Sequence, residues 1–233
     1  MQIEICAASR QSAANALAGG AKRIELCRQL EVGGTTPTEE DIRYCIHELG
    51  LRTHVLVRPR AGDFCYSDAE FAQVEREVEM CRRCGAAAVV VGFLTPEGGI
   101  DEGRTRRIVE FAAPMEVTFH RAFDEMRQEP QSALEAIIRC GCHRLLTSGC
   151  QPSAEQGIDL LRQLVQWAAG RITILAGAGI TPGNASRIVD ATGVTEIHGS
   201  CKQALPDGRV ETSPQLVSRL IENLGSLGSL GNK

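Results

Sequence analysis

The chain has 233 residues, of which 43% are hydrophobic and 23% are charged, the composition of an ordinary globular protein. A net charge of -4 and an aromatic content of 4% argue against nucleic-acid binding, which needs a basic field and stacking platforms. No apolar run reaches the roughly 18–20 residues of a membrane span, and MQIEICAASR lacks the pattern of a signal peptide. We therefore predict a cytoplasmic protein that binds neither nucleic acid nor membrane.

Eight short β-rich segments alternate with eight amphipathic segments of helical length. The predicted strands are residues 3–6, 23–26, 53–58, 87–92, 116–120, 143–148, 171–177 and 195–199. The predicted helices are residues 12–20, 38–49, 67–85, 102–112, 130–141, 155–170, 181–193 and 213–225. Several of these helices open with Ser, Thr or Pro and end in Gly, as helix termini prefer.

This alternation predicts an α/β fold with a parallel sheet, and eight units favour closure into a (β/α)8 TIM barrel. An open doubly wound sheet is the alternative, but its central strands would be uniformly apolar, and several strands here alternate instead. Because no linker divides the chain, we predict a single barrel domain over residues 1–224. Residues 225–233 are rich in Gly and Ser and are predicted to form a flexible C-terminal tail.

Alternation along the strands also predicts which side chains face the lumen of the barrel. Apolar residues should point outward to the helices, and their neighbours should point inward. The predicted inward set is Glu4, Cys6, Glu25, Cys27, His54, Leu56, Arg58, Glu116, Thr118, His120, Glu196 and His198. Because isolated buried charges cost several kcal/mol, these groups must either pair or serve a function. A salt-bridge network that only fills the lumen is the alternative.

The segment EVTFHRAFD ends a predicted strand at the C-terminal mouth of the barrel, where TIM-barrel enzymes place their chemistry. His120 is predicted to titrate near neutral pH as an acid or base, and Arg121 to bind a carboxylate or phosphate. Asp124 is placed to orient either of them. Together with Glu25 and His198 from other strands, His120 and Asp124 form the predicted catalytic set.

Other loops at the same mouth supply candidate ligand-binding residues. The segment RPRAGDFCYS presents Arg58 and Arg60, with a plain surface turn as the alternative. The segment EVGGTTPT is similar to a glycine turn that cradles an anion before a helix. Backbone amides after the last two barrel strands often bind phosphate, which adds the candidates Gly177, Gly179 and Ser200. Turn glycines without a ligand remain the alternative there.

The ten cysteines are predicted to be free thiols, because a reducing cytosol disfavours disulfides. Four of them lie in or at the end of helical segments and have no second pair at zinc-finger spacing. We interpret these four as small apolar residues: Cys81, Cys84, Cys140 and Cys142.

Seven segments together resemble the CutC family. They are RIELC (23–27), GGTTP (33–37), RPRAGDFCYSD (58–68), TFHRAFD (118–124), LTSG (146–149), AGAGI (176–180) and HGS (198–200). The resemblance runs from about residue 2 to residue 200, and the third and fourth segments are highly specific. It implies a TIM barrel, a cytoplasmic location, a homodimer and an association with copper homeostasis.

The chain departs from the family pattern in two places. Ala61 stands where the family usually has Gly, and residues 201–213 are shorter than the usual loop after the last barrel strand. The resemblance implies copper ligands at the cysteines that end the first two strands, which match Cys6 and Cys27. Adjacent strands lie about 4.8 Å apart, so thiolates at equivalent positions on them are suited to hold one soft Cu(I) ion. Two buried thiols without a metal are the alternative.

Three functions are consistent with these residues. The first is binding of Cu(I) in copper homeostasis. The second is a TIM-barrel enzyme that performs acid–base or lyase chemistry on a small anionic or phosphorylated metabolite. The third is a sensor that binds the same metabolite without converting it.

Overall fold

The computed structural model describes residues 1–206 and 208–225. Eight parallel strands follow one another around a closed barrel, and the ring closes where the first strand pairs with the eighth. In that pairing Ile3 lies opposite Ile197 and Glu4 lies opposite His198. The predicted TIM barrel is confirmed, and the open doubly wound sheet is excluded. The predicted flexible tail lies, apart from its first residue, outside the described residues.

The barrel strands are β1 (Gln2–Ala7), β2 (Arg23–Leu26), β3 (Arg52–Leu56), β4 (Ala88–Val91), β5 (Glu116–Phe119), β6 (Arg144–Thr147), β7 (Thr173–Ala176) and β8 (Glu196–Gly199). The helices are α1 (Arg10–Ala18), α2 (Glu39–Arg43), α3 (Asp68–Cys84), α4 (Glu102–Ala112), α5 (Pro130–Arg139), α6 (Ile158–Ala168), α7 (Ala185–Thr192) and α8 (Pro214–Gly225). All sixteen overlap their predicted positions, and only α2 departs from them by more than four residues at either end.

Local sequence explains where several helices begin. The Ser67 hydroxyl accepts a hydrogen bond from the Glu70 amide, and Glu70 reaches back to the Ser67 amide, so α3 starts with a capping box. Pro130 occupies the first turn of α5, where its missing N–H costs nothing. After α2 the chain continues as a π-helical turn over Tyr44–Glu48, so the predicted helix 38–49 is a short α-helix followed by this wider turn.

The barrel has two separate apolar cores. The larger one lies between strands and helices and includes the fully buried Ile5, Ile24 and Val117, which were predicted to point outward. The smaller one fills part of the lumen and consists of Cys6, Cys27, Leu56 and Val90. This separation shows that the inward-facing and outward-facing residues of the strands pack in two different layers.

The shortened segment after β8 folds as a small antiparallel hairpin, with strands β9 (Lys202–Ala204) and β10 (Val210–Thr212). The hairpin contacts the N-terminal end of α1 through hydrogen bonds from the Ser9 and Ser12 hydroxyls to the Glu211 carboxylate. Within the described part of the chain, no helix has both the length and the apolar character needed to cross a membrane.

Candidate active site

Charged side chains alternate in sign along the lower part of the barrel lumen. Arg144 donates to both Glu116 (2.6 Å) and Glu196 (3.0 Å). Arg23 then connects Glu196 (2.5 Å) to Glu4 (3.0 Å). Since every buried charge here lies next to one of opposite sign, the desolvation cost of each is offset by its neighbours. Three of the predicted inward carboxylates, Glu4, Glu116 and Glu196, therefore pair with arginines. Their partners Arg23 and Arg144 were not among the predicted lumen residues.

Glu4 is the point at which this network meets the mouth of the barrel. One of its carboxylate oxygens lies 3.0 Å from Arg23 Nε and 2.7 Å from His54 Nδ1, and the other lies 2.9 Å from His198 Nδ1. Burial raises the pKa of Glu4, but the hydrogen bond with His198 and the close contact with His54 outweigh burial and bring it well below its usual value. Glu4 is therefore ionised in the folded protein.

Above this network the mouth of the barrel contains a cavity of about 660 Å³. Eight of the residues predicted to form a site line it: Cys6, Glu25, Arg58, His120, Arg121, Gly179, His198 and Ser200. Four others do not line it: Cys27, Arg60, Asp124 and Gly177. This volume suits a small metabolite.

Glu25 and His198 lie next to each other at the floor of this cavity, with Glu25 Oε2 3.7 Å from His198 Nε2. Burial raises the pKa of Glu25, the charge of His198 lowers it in part, and the nearby Glu4 raises it again, so that the pKa remains above its usual value. Burial lowers the pKa of His198, but Glu25, Cys6 and Glu4 together raise it well above its usual value. His198 therefore carries a proton between two carboxylates whose pKa values are shifted in opposite directions, a pattern found in acid–base sites.

The surroundings of His120 disfavour the titration near neutral pH that the sequence predicts for it. Its ring is buried, and burial together with the nearby charges of Arg58 and Arg121 lowers its pKa to about 3. The Nδ1 atom accepts a hydrogen bond from the Ala122 amide at 3.1 Å, so a neutral ring carries its proton on Nε2. The imidazole is therefore a neutral hydrogen-bond donor at the cavity wall.

Arg121 and Asp124 form one unit beside His120. Arg121 Nε donates to Asp124 at 2.8 Å, and Arg121 Nη2 lies 3.3 Å from the Ser148 hydroxyl. The Asp124 carboxylate also accepts from the backbone amides of Ser148 and Cys150, so it is fixed to the loop after β6. Asp124 orients Arg121 from behind the cavity wall, while the half-exposed Arg121 side chain faces the cavity.

The two arginines of the loop after β3 have different surroundings. Arg58 donates to the carbonyl oxygens of Val32, Gly34 and Gly62, so its guanidinium joins two loops, although it also lines the cavity. Arg60 donates to Glu70 and Asp63 outside the cavity wall. This placement gives no support to Arg60 as a ligand-binding residue. The carbonyl oxygens of the EVGGTTPT turn therefore accept hydrogen bonds from Arg58. A turn that binds an anion would instead direct its backbone amides to the ligand, so this geometry does not support the predicted anion cradle.

The loops after β7 and β8 form the opposite wall of the cavity. Ala178 and Gly179 both have positive φ values of 75° and 71°, and residues 178–182 line the cavity. Within residues 1–206 and 208–225, the backbone amides of Gly179, Ile180 and Ser200 have no hydrogen-bond acceptor. Gly177 serves packing instead, because a Cβ there would lie 2.6 Å from Leu146. This wall offers hydrogen-bond donors to an anion.

Cys6 and Cys27 lie side by side in the lumen, with their sulfur atoms 3.9 Å apart. Cys6 lines the cavity, whereas Cys27 lies beneath the loop at Gly34, where a Cβ would be 3.4 Å from Cys27 Cβ. The hydrogen bond to Cys27 and burial raise the pKa of the Cys6 thiol well above its usual value. Donor atoms of Cys6, Glu25 and His198 also lie within 4.8 Å of one another, close enough to bind one metal ion.

Comparison with known proteins gives the family of this chain. The family model described as the CutC family matches residues 1–203. The chain belongs to the CutC family. A CutC family protein of Chromobacterium violaceum is 46% identical over 200 residues, which cover 86% of this chain and 81% of that relative. A CutC family protein of Porphyromonas gingivalis is 43% identical over 216 residues, or 93% of this chain and 87% of the relative.

A solved structure of the same family has the same fold. It comes from Streptococcus agalactiae, has 30% identity and a TM-score of 0.81, and covers 86% of this chain and 98% of its own. That protein is described as a proposed copper homeostasis protein. The resemblance seen in the sequence motifs is therefore confirmed for the family and for the barrel.

Proposed function

We propose that the cavity is the active site of an enzyme that moves a proton on a small anionic metabolite. The observation that carries this proposal is Glu25, a buried carboxyl group that faces the cavity beside His198, which Glu4 holds from behind at 2.9 Å. A network that served only packing has no need to place a carboxyl group with a raised pKa at a cavity wall.

The arrangement assigns distinct tasks to the three groups. Glu25, in its ionised form, accepts a proton from a substrate carbon or oxygen and later returns it. His198 lies 3.7 Å away and, as an imidazolium, stabilises the ionised form of Glu25 between turnovers. Glu4 keeps His198 protonated and oriented, so it acts through His198 and does not contact the substrate.

The rim of the cavity carries groups that suit the negative charge of the substrate. Arg121 faces the cavity from the turn after β5, and Lys202 lines it from β9. The amides of Gly179, Ile180 and Ser200 add neutral donors from the loops after β7 and β8. A carboxylate or phosphate bound there would leave the rest of the molecule near Glu25.

Proton transfer can be tested without knowing the substrate. We expect the protein to exchange a carbon-bound proton of at least one small oxo acid or sugar phosphate with D2O, detected as the loss of its proton NMR signal. Glu25→Gln should reduce this exchange by about 100-fold or more, the usual contribution of a general base. Glu110→Gln, on the exposed face of α4, is the matched control and should leave the rate unchanged. A Glu25→Gln rate equal to that of the parent would overturn the proposal.

Binding of Cu(I) is a second candidate function, with the ion as cargo. Its support is the pair Cys6 and Cys27, whose sulfur atoms lie 3.9 Å apart, near enough for both to contact one ion. Soft thiolates select Cu(I), and binding would release the protons of the thiols. The description of the Streptococcus agalactiae relative agrees with this candidate.

Anaerobic titration with Cu(I) tests the second candidate. We expect saturation near one equivalent in the parent and loss of that binding when Cys6→Ser and Cys27→Ser are combined. Cys65→Ser removes a half-buried thiol that is not part of the pair and should bind like the parent. Unchanged affinity in the double variant would mean that other thiols bind the ion.

Three further expectations stay predictions: the cytoplasmic location, the homodimer and the alternative of a sensor that binds the metabolite without converting it. A sensor would bind the same anions in the cavity but would show no proton exchange in D2O, so the experiment with Glu25→Gln also separates these two functions.

A further inference from the structure

His120 presents a buried hydrogen-bond donor that has no protein acceptor. The residue is only 5% exposed, and its Nδ1 is occupied by the Ala122 amide. Across the described residues, no acceptor lies within reach of Nε2. A buried N–H without a partner is costly, and His120 lines the cavity, so a ligand bound in the cavity is the partner that the position of the residue allows.

The ring position is fixed by its surroundings. The Phe64 ring packs against it with centroids 4.8 Å apart. On another side the ring lies against the backbone of Gly92, where a Cβ would be 2.3 Å from His120 Nδ1 and 2.4 Å from its Cε1. Only glycine leaves that space open, so the direction of the Nε2–H bond is set by the fold.

The charges around His120 keep the ring neutral. Arg58 comes from the end of β3 and Arg121 from the turn after β5, and both disfavour a second proton on the imidazole. Asp124 is the nearby carboxylate, but it binds Arg121 and the loop after β6. The ring therefore keeps its proton on Nε2 wherever Nδ1 holds its backbone hydrogen bond.

We propose that His120 donates from Nε2 to the carbonyl oxygen of a bound oxo acid whose carboxylate is held by Arg121. This inference rests on the proposed proton-transfer function and names its substrate class. When Glu25 takes the proton, the carbon–hydrogen bond breaks, its electron pair forms a carbon–carbon double bond, and the carbonyl electrons move to oxygen. A neutral donor already in place stabilises that negative oxygen without reorganisation, and reversal of the same steps returns the proton.

The tautomer of His120 is the first test. In protein labelled with ¹⁵N-histidine, the signals of five histidines are present, and the one missing in His120→Gln belongs to His120. Contacts with the Phe64 ring protons assign the same signal in the parent if that variant does not fold. We expect the Nε2–H form with no titration between about pH 5 and 8.5. A proton on Nδ1, or a midpoint near the ordinary value of about 6.5, would overturn the inference.

The substrate class is the second test, with pyruvate as the probe and isobutyrate as its control. Both carry a carboxylate and have similar shape, but isobutyrate has a methyl group in place of the carbonyl oxygen. We expect pyruvate to shift the His120 Nε2–H signal and isobutyrate to leave it in place. Equal shifts, or none with pyruvate, would remove the oxo acid assignment. Both readouts are independent of turnover, so a failure of Glu25 as the base is seen separately in the D2O exchange experiment.

Discussion

Arg23 is the residue on which the lumen charges depend most. It is 2% exposed and lies between two carboxylates, with Nη2 2.5 Å from Glu196 and Nε 3.0 Å from Glu4. Without it, the carboxylates of Glu4 and Glu196 on two adjacent strands would lose the positive charge between them. Its position was open to prediction, because Ile24 faces outward and the alternation places Arg23 inward beside Glu25.

We predict that Arg23→Met lowers the free energy of unfolding by about 3–5 kcal/mol, because a methionine fills the volume but removes the buried positive charge that pairs with both Glu4 and Glu196. Urea unfolding monitored by circular dichroism measures this loss. Arg43→Met is the control, since Arg43 forms an exposed pair with Glu39 on α2 that contributes about 0.5 kcal/mol or less. If the two variants lose the same free energy of unfolding, Arg23 contributes no more to stability than an exposed ion pair does.

The strand pattern predicted most lumen residues, but it did not predict their chemical states. The motif HRAFD placed His120 at the mouth correctly, whereas its protonation depends on Arg58, Ala122 and burial, which come from three parts of the fold. Arg60 shows the same limit. It follows a strand end as Arg58 does, yet Glu70 at the start of α3 draws it away from the cavity. The alternation of residues along a strand therefore predicts which face a side chain lies on. Its protonation and its contacts depend on residues from other parts of the fold.

At the scale of elements, the hairpin β9–β10 ties the end of the barrel to its beginning. Glu211 of β10 accepts hydrogen bonds from Ser9, which caps α1, and from Ser12 in its first turn. The Thr212 amide donates to the Ser12 hydroxyl at 2.9 Å. Because β9 carries Lys202 on the cavity wall, this attachment also positions one side of the site.

Glu211→Gln should loosen this attachment. An amide cannot accept from both hydroxyls as strongly as a carboxylate, so we expect a loss of about 1–2 kcal/mol of local stability. Amide hydrogen exchange should become faster for Thr212 and for the first turn of α1, while exchange in β4 and β5 stays unchanged. Glu222→Gln, an exposed position on α8, should leave all of these rates as they are. If Glu211→Gln and Glu222→Gln have the same exchange rates at Thr212 and in the first turn of α1, Glu211 does not hold the hairpin to α1.

The elements themselves were predictable because βα units alternate with clear periodicity and carry caps such as Ser67 and Pro130. The hairpin was not predicted, since two strands of three residues that are mostly exposed have no apolar pattern to read. The π-helical turn over Tyr44–Glu48 was also missed, because a widened turn differs from a helix in its hydrogen bonds and not in its periodicity.

For the whole molecule, His120 makes stability depend on pH. Its folded-state pKa is about 3, whereas an unfolded histidine titrates near about 6.5. Between these values the unfolded chain binds a proton that the folded chain does not, so stability falls as pH falls through this window. His198 acts in the opposite direction, because its raised pKa favours the folded state at low pH and this contribution is lost as pH rises through its folded-state value.

A comparison of the parent with His120→Gln isolates the contribution of His120. Between about pH 7.5 and pH 5, the parent should lose about 2 kcal/mol more unfolding free energy than the variant, since glutamine takes up no proton. Urea unfolding at both pH values provides the measurement, and the contributions of the other groups cancel in the difference. Parallel pH profiles for the two proteins would show that His120 is not held neutral.

The alternating charges of the lumen also restrict how a sequence with this barrel can change over generations. Each charged residue of the lumen contacts the next one in the series Glu116, Arg144, Glu196, Arg23 and Glu4. Replacing one of them therefore removes a buried ion-pair partner from its neighbour. A tolerated change then requires a compensating change on an adjacent strand. Exposed pairs such as Arg43 and Glu39 carry no such constraint. Substitutions at the charged lumen positions should therefore be rare and should occur in correlated pairs. Positions on the exposed faces of the helices can change one at a time.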